Sequence, residues 1–362
     1  MSHNDISFDK AIIFPYSKEF ASTVRALFHM NKLGKSTRII APIGWGTGGM
    51  DAGEAYGYPR IGLFIKNSAI EEMNECDSLI ITPYDFSDYD PTNEDIEILI
   101  DSYINNANSF NIKVFDLRDL RGMTLEKIND IYLLCEGQKI IVESPIVYVS
   151  GLVEQVDKLA IQFDVGNELT RRGYKVLHVG SKQYCSVINM NNFPDFMFAP
   201  ITESKKIEYF KSYLFDLYMK EKPDILFVGI PGASMKFNQE ISNGYGIINY
   251  LVSMAATPDF SIVCTDCREY EKVETEFLYK YRYGYEVDCF VMSNTKIMYD
   301  PIVDENRLTF ETIDYSEVDE VLTKQKNSNQ NIPQFRIYNY EHVCKIADLI
   351  INRLGDMDFY TI

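Results

Sequence analysis

Residues 145–182 read PIVYVSGLVEQVDKLAIQFDVGNELTRRGYKVLHVGSK, and this stretch decides the fold. The run 146–149 is short, apolar and β-branched, as a buried strand is. Ser150-Gly151 then turns the chain. Across 157–172, Leu159, Ile161, Phe163, Val165 and Leu169 fall partly on one helical face, and Gly173 ends the pattern. Residues 174–179 read as the next strand. Strand, loop, helix and strand in this order build a parallel sheet.

The loop in this unit resembles a phosphate-binding loop that has drifted. The intact pattern is G-x-x-x-x-G-K-[ST], whose amides cradle phosphate, whose lysine supplies charge and whose hydroxyl holds magnesium. Gly151 supplies the first glycine. Val156 or Asp157 replaces the second, Lys158 arrives one position late, and Leu159 stands where the hydroxyl belongs. Glu154 and Asp157 put negative charge where a phosphate would sit. The same residues also read as a plain turn before a helix with an acidic first turn, which suits the helix dipole without any ligand.

Outward from this stretch, strands and helices alternate. Before it, strands are expected at 10–16, 37–42, 60–65, 78–82 and 113–117. Helices are expected at 17–33 with Ser17 as cap, at 68–75 from a Ser68–Glu71 capping box, at 93–108 and at 125–135. After it come helices at 204–221, 243–256, 317–326 and 340–354, the last stopped by Gly355. Strands are expected at 224–228, 261–265, 288–292 and 296–299, and a polar loop at 326–331. The fold class is therefore α/β: two Rossmann-like domains with mostly parallel sheets, 1–140 and 141–362, the second like a degenerate P-loop NTPase with a C-terminal helix. The boundary is placed at 137–144.

A length of 362 residues suits two domains, and 46% hydrophobic residues supply their cores. The formal net charge of −18 argues against nucleic-acid and anionic-membrane partners, which need a basic face. The polar start MSHNDISFDK has no apolar signal region, no run is long enough to span a bilayer, and the seven scattered cysteines are odd in number. A reducing, cytoplasmic setting follows as the expectation.

Ligands of open α/β sheets bind off the carboxyl ends of strands. That rule selects Gly151, Glu154, Asp157 and Lys158 in the loop above, and Gly229 and Gly232 in the turn GIPGA. It also selects Asp266 as a candidate metal ligand. In the first half it selects Tyr16-Ser17-Lys18, Tyr84-Asp85 and the loop GWGTGGMDAG, with Gly44, Trp45, Gly46 and Asp51. Trp45 offers a stacking face, or anchors a flexible crossing. Cys264-x-x-Cys267 is a lone pair, read as structural thiols or as redox or metal chemistry. His178 lies in an apolar strand and reads as an interior histidine, and the glutamates between 269 and 276 as a solvated surface. No catalytic residue is assigned.

Several motifs recur together in one family. They are Gly44-Trp45-Gly46 with Asp51-Ala52-Gly53, Gly151-Leu152 with Asp157-Lys158, and Gly173-Tyr174-Lys175-Val176 with Gly180-Ser181-Lys182. Phe193-Pro194 with Phe196-Met197 and Gly229-Ile230-Pro231-Gly232 complete the order. The chain thereby resembles the clostridial peptide maturation system proteins, from about residue 11 to 266. It departs from their pattern at Met50, where a basic residue is usual, and at Asn191-Asn192, where Gly and His are usual. The resemblance implies an accessory role beside a ribosomal precursor peptide and a radical S-adenosylmethionine enzyme.

Three readings stay open at this stage. One is an accessory protein that binds a nucleotide with magnesium, or another anionic ligand, in a cleft between its domains, and that can form homo-oligomers. The second is an NTP-dependent ligase or kinase acting on the peptide. The third is a non-catalytic module that binds the leader peptide.

Overall fold

The computed structural model describes residues 6–84, 96–137, 139–268, 272–299, 308–326 and 332–357. The chain divides into two compact units: residues 1–120 with 186–189, and residues 121–185 with 190–362. Residues 327–331 of the polar loop expected at 326–331 lie outside the described residues, as do Asp85 and 93–95 at the start of one expected helix.

The first unit contains β1 (Ala11–Phe14), α1 (Lys18–His29), β2 (Arg38–Ile40), β3 (Ile65–Lys66), β4 (Ser78–Ile81), α2 (Ile96–Ser109) and β5 (Lys113–Asp116). Its five strands are all parallel, in the order β3-β2-β1-β4-β5. The central strands AIIF and SLII are buried along their whole length, as parallel strands covered on both faces must be. Ile12, Phe14, Leu79 and Ile81 pack with Ile96, Ile100 and Tyr103 of α2. The rings of Phe14 and Tyr103 stack with centroids 4.2 Å apart.

Three local expectations change in this unit. The strand expected at 60–65 shortens to Ile65–Lys66, because residues 49–52 fold back and exchange backbone hydrogen bonds with 63–65. The Ser68–Glu71 box opens no α-helix, only a turn at Met73–Glu75, and the Ser68 hydroxyl accepts instead from the Ile70 amide at 3.4 Å. Ser17 does precede α1, but its hydroxyl donates to the Pro83 carbonyl at 3.3 Å rather than capping the helix.

The second unit contains α3 (Leu125–Cys135), β6 (Ile146–Gly151), α4 (Lys158–Arg171), β7 (Val176–Val179), α5 (Glu203–Glu221), β8 (Ile225–Gly229), α6 (Ile247–Ala255), β9 (Phe260–Thr265) and α7 (Lys272–Leu278). It continues with β10 (Cys289–Met292), β11 (Thr295–Met298), β12 (Thr309–Thr312), α8 (Tyr315–Lys326), β13 (Gln334–Arg336) and α9 (Tyr340–Met357). Six parallel strands run in the order β13-β10-β9-β6-β8-β7, with β11 and β12 as a separate antiparallel ribbon. The chain first builds to one side of β6 and then, from β9, to the other. The switch point therefore lies between β6 and β9.

Residues 121–137 belong to the second unit rather than closing the first. The reason is packing between α3 and α5: Tyr209 donates to Asn129 at 2.8 Å, and the Lys205 ammonium lies 3.8 Å above the Tyr132 ring. The last helix runs through Gly355 to Met357. It is tied to α4 by Arg172–Asp348 at 2.5 Å and by Tyr340, whose hydroxyl donates to Glu168 at 3.1 Å. The helix expected over 243–256 begins only at Ile247, for a reason that belongs to the site. No helix among the described residues is long and apolar enough to cross a membrane.

His178 sits in β7 with its ring against α4, where a Cβ on Gly166 would stand 2.1 Å from Cε1. Its Nδ1 is buried and meets no hydrogen-bond partner. Burial depresses its pKa to about 4, from an ordinary 6.5. Between those values the unfolded chain holds the proton and the folded chain does not, so acid favours unfolding. Stability from this group is full above pH 6.5 and falls as the pH drops toward 4. Urea titrations across that window should show His178→Phe losing about 2 kcal/mol less than the parent chain.

Candidate functional site at the carboxyl edge of the second sheet

The bend after β6 holds two non-glycine residues in left-handed backbone. Gln155 and Asp157 have φ of 54° and 55°, the left-handed region that a glycine enters freely and other residues enter at a cost of about 1 kcal/mol each. Counted back from the lysine, Asp157 occupies the second-glycine position. The Asp157 carboxylate accepts from the Ser293 hydroxyl at 2.6 Å, and Thr295 donates to the Gln155 carbonyl at 3.1 Å. The loop between β10 and β11 thus holds the strained residues in place. Ser293 and Thr295 were not expected from the sequence, where they read as ordinary turn residues.

The interior of the bend is filled by the protein itself. Leu152, Val153 and Val156 are buried. A Cβ on Gly151 would meet Val156 Cγ2 at 2.7 Å, the Val153 carbonyl at 2.8 Å and Lys158 Cδ at 3.0 Å, so Gly151 is needed for close packing. Lys158 is 7% exposed, and its ammonium donates to the Gly232 carbonyl in the turn after β8. Glu154 is exposed and leans over the same turn, with Oε1 4.0 Å from where a Gly232 Cβ would be. Gly229 lies against the buried Gln162 of α4. The structure therefore gathers Gly151, Glu154, Asp157, Lys158, Gly229 and Gly232 at one edge. A cation at the first position of α4 stands at the positive end of the helix, where an anion is the favoured neighbour.

The switch point adds Asp266 and two thiols. Asp266 is fully buried; burial raises its pKa, and Arg268 opposes that through Nε at 2.5 Å. The carboxylate is thus taken up by a salt bridge. Among the described residues no three His, Cys, Asp or Glu side chains come together in a way that could hold a metal ion. All seven cysteines are free thiols. Burial pushes Cys264 far up and Cys267 to about 11, so neither is a thiolate near neutral pH.

Beneath the bend runs a buried polar chain. The Ser150 and Tyr279 hydroxyls are 2.8 Å apart, Tyr279 donates to Ser234 at 2.9 Å, Asn249 donates to Ser234 at 2.9 Å, and Tyr285 donates to Asn249 at 2.7 Å. Tyr279 and Tyr283 come from a π-helical turn, Tyr279–Tyr283, that follows α7. Of the alternating Tyr279, Tyr281, Tyr283 and Tyr285 only Tyr281 is exposed, and that period of two reads as a strand rather than as this turn. Just before α6, Asn243, Gly244, Tyr245 and Gly246 have φ of 48°, 62°, 53° and 66°. This left-handed turn is why α6 starts late. A cleft of about 430 Å³ opens beside it, lined by Met235, Lys236, Tyr245, Glu274, Thr275, Leu278 and Arg282.

The candidates of the first unit take up different work. Asp51 is 1% exposed, and its carboxylate accepts from the amides of Gly53 (2.8 Å), Glu54 (3.4 Å), Ile61 (3.0 Å) and Gly62 (2.6 Å). It organises residues 51–62. Gly44, Trp45 and Gly46 form a short turn, and the half-buried Trp45 packs on the core with its ring 6.4 Å from that of Tyr84. Tyr16 is fully buried and donates to the Ala52 carbonyl at 2.6 Å.

No protein-family model matches this chain, and no curated protein matches it. Among solved structures it is similar to a DUF1611 family protein from Anabaena variabilis ATCC 29413, with a TM-score of 0.53 and 10% identity over 96% of this chain and 99% of that one. A LAO/AO transport system kinase gives a TM-score of 0.36 at 10% identity, over 65% and 72%. The signal recognition particle receptor FtsY from Elizabethkingia anophelis gives 0.28 at 14% identity, over 46% and 55%. The last two weigh nothing on function. The first shows a shared α/β fold alone.

Proposed function

We propose that this chain is a cytoplasmic accessory protein in the maturation of a ribosomally made peptide, and that its second unit grips an anionic ligand at the bend after β6. One observation carries the anion half. Lys158 is a buried cation at the positive end of α4, and its ammonium reaches across to the Gly232 carbonyl in the turn after β8. A phosphate or carboxylate entering between those two loops would gain a charge-assisted hydrogen bond from it. Residue types favour holding over phosphoryl transfer: Leu159 replaces the magnesium-binding hydroxyl, and the turn 229–233 carries no acid. The peptide half rests on the motif resemblance, with a radical S-adenosylmethionine enzyme as the expected neighbour.

Isothermal titration of the full chain with ATP, GTP and S-adenosylmethionine, with and without magnesium, tests the proposal. One of them should bind, and Lys158→Ala should weaken it by roughly tenfold or more. Asp157→Gly should act the other way, because it removes a negative charge from the residue next to Lys158 and a side chain from a left-handed backbone. Silence toward all three ligands removes the nucleotide. Nucleotide turnover stimulated by the precursor peptide and lost in Lys158→Ala would favour the ligase or kinase reading. Peptide affinity indifferent to every nucleotide would favour the leader-binding reading.

A further inference from the structure

The cleft beside the left-handed turn is a second feature at the same edge. Its volume of about 430 Å³ is that of a small-ligand pocket. Two stretches of unusual backbone make its walls: the four positive-φ residues 243–246, and the π turn that carries Arg282. Arg282 ties the walls together by donating to the Tyr245 carbonyl. Strained left-handed residues and π turns both concentrate at functional sites. Glu274, Thr275 and Leu278 of α7 line it as well, together with Met235 and Lys236, and the Met235 amide donates to the Leu152 carbonyl at 3.3 Å. The cleft therefore opens where α/β sheets hold their ligands.

The lining is amphipathic. Met235, Leu278 and the Tyr245 ring are apolar; Lys236 and Arg282 are cations; Glu274 is the one carboxylate. Two positive charges against one negative leave an excess of +1, in a chain whose formal net charge is −18. The neighbouring surface is rich in exposed hydrophobic groups. Phe277 and Tyr281 are 54% and 73% exposed and stack with centroids 5.3 Å apart, each one residue ahead of cleft-lining Leu278 and Arg282. On α6, Ile247, Tyr250 and Met254 are exposed at spacings that share one face.

We infer that this cleft docks a peptide segment in which one acidic side chain is flanked by apolar or aromatic residues. The carboxylate pairs with Lys236 and Arg282, and its neighbours lie on Met235, Leu278 and the exposed rings. Charge chooses this occupant over a basic segment. An acidic group is repelled by most of a −18 surface and attracted at this cleft, which fixes the register of the bound strand. The inference deepens the peptide half of the proposed function and rests on it for the partner's kind. It is independent of Lys158.

The test uses the full chain and three end-blocked, dye-labelled peptides, Leu-Asp-Phe-Leu, Leu-Asn-Phe-Leu and Leu-Lys-Phe-Leu, followed by fluorescence anisotropy. The Asp peptide should bind roughly tenfold tighter than the Asn peptide, and the Lys peptide weakest. Arg282→Gln should bring the Asp and Asn peptides level. Lys236→Gln should do the same, and its exposed position keeps folding out of the result. Lys158→Ala should leave the ranking unchanged, so this inference and the nucleotide proposal fail separately. Equal affinity for all three peptides overturns the inference, as does a preference that survives Lys236→Gln, or no binding up to roughly 1 mM. ATP displacing the Asp peptide, with ATP binding lost in Arg282→Gln, would assign the cleft to phosphate instead.

Discussion

Replacing Asp51 by alanine should cost the first unit about 4 kcal/mol, the largest loss expected from a single side chain outside the hydrophobic core. The carboxylate is 1% exposed and accepts from four backbone amides between residues 53 and 62. Alanine leaves the buried amides of Gly53 and Ile61 without this acceptor, and a buried donor without an acceptor loses its full desolvation energy. Asp51→Asn should cost about half as much, since one amide oxygen can still accept while its NH2 group opposes the remaining donors. Hydrogen exchange is the direct readout: the amides of Gly53, Ile61 and Gly62 should lose protection before the strands do. If Asp51 were instead a ligand residue, alanine would leave that protection intact.

Gly246→Ala should cost the second unit about 3 kcal/mol and disorder the cleft. Two effects combine. Gly246 has a φ of 66°, where an alanine is strained. Its added Cβ would also stand 2.1 Å from the Tyr283 hydroxyl and 2.4 Å from the Ser234 carbonyl. Neither neighbour can yield easily, because Tyr283 is 1% exposed and donates to that same carbonyl. Urea unfolding measures the loss. Gly244→Ala is the control: its φ is 62° but nothing lies near its Cβ, so it should cost only about 1 kcal/mol.

The alternation of buried apolar runs with helical patterns was enough to read the α/β class and two parallel sheets, because strands such as IVYVSG and FSIVCT are buried end to end. The boundaries of α3 also followed from sequence, but its allegiance did not. Its partners, such as Tyr209 and Lys205, lie about 80 residues away along the chain. Local pattern misled at 243–256, where apolar periodicity predicts helix throughout. The left-handed turn is fixed by distant groups, Tyr283 and Ser234, that no window of sequence contains. At the site, the motif located Lys158 and the bend correctly at a strand end, yet could not show that Gly232, Val156 and the lysine's own stem fill it. Asp51 was singled out for its setting in a glycine loop. Its four amide partners depend on how residues 51–62 fold back, and composition carries no trace of that.

The protein has one tryptophan, and it is Trp45, packed in the first unit beside Tyr84. The other unit holds Cys264, Cys267 and Cys289, all buried. Indole emission is therefore an optical signal from one half alone, and trapping of those three thiols by a disulfide reagent, read residue by residue so that Cys76 of the first unit is kept apart, is a chemical signal from the other. Recorded together during denaturation, the two signals report without any engineered label whether the halves melt as one cooperative body or in sequence.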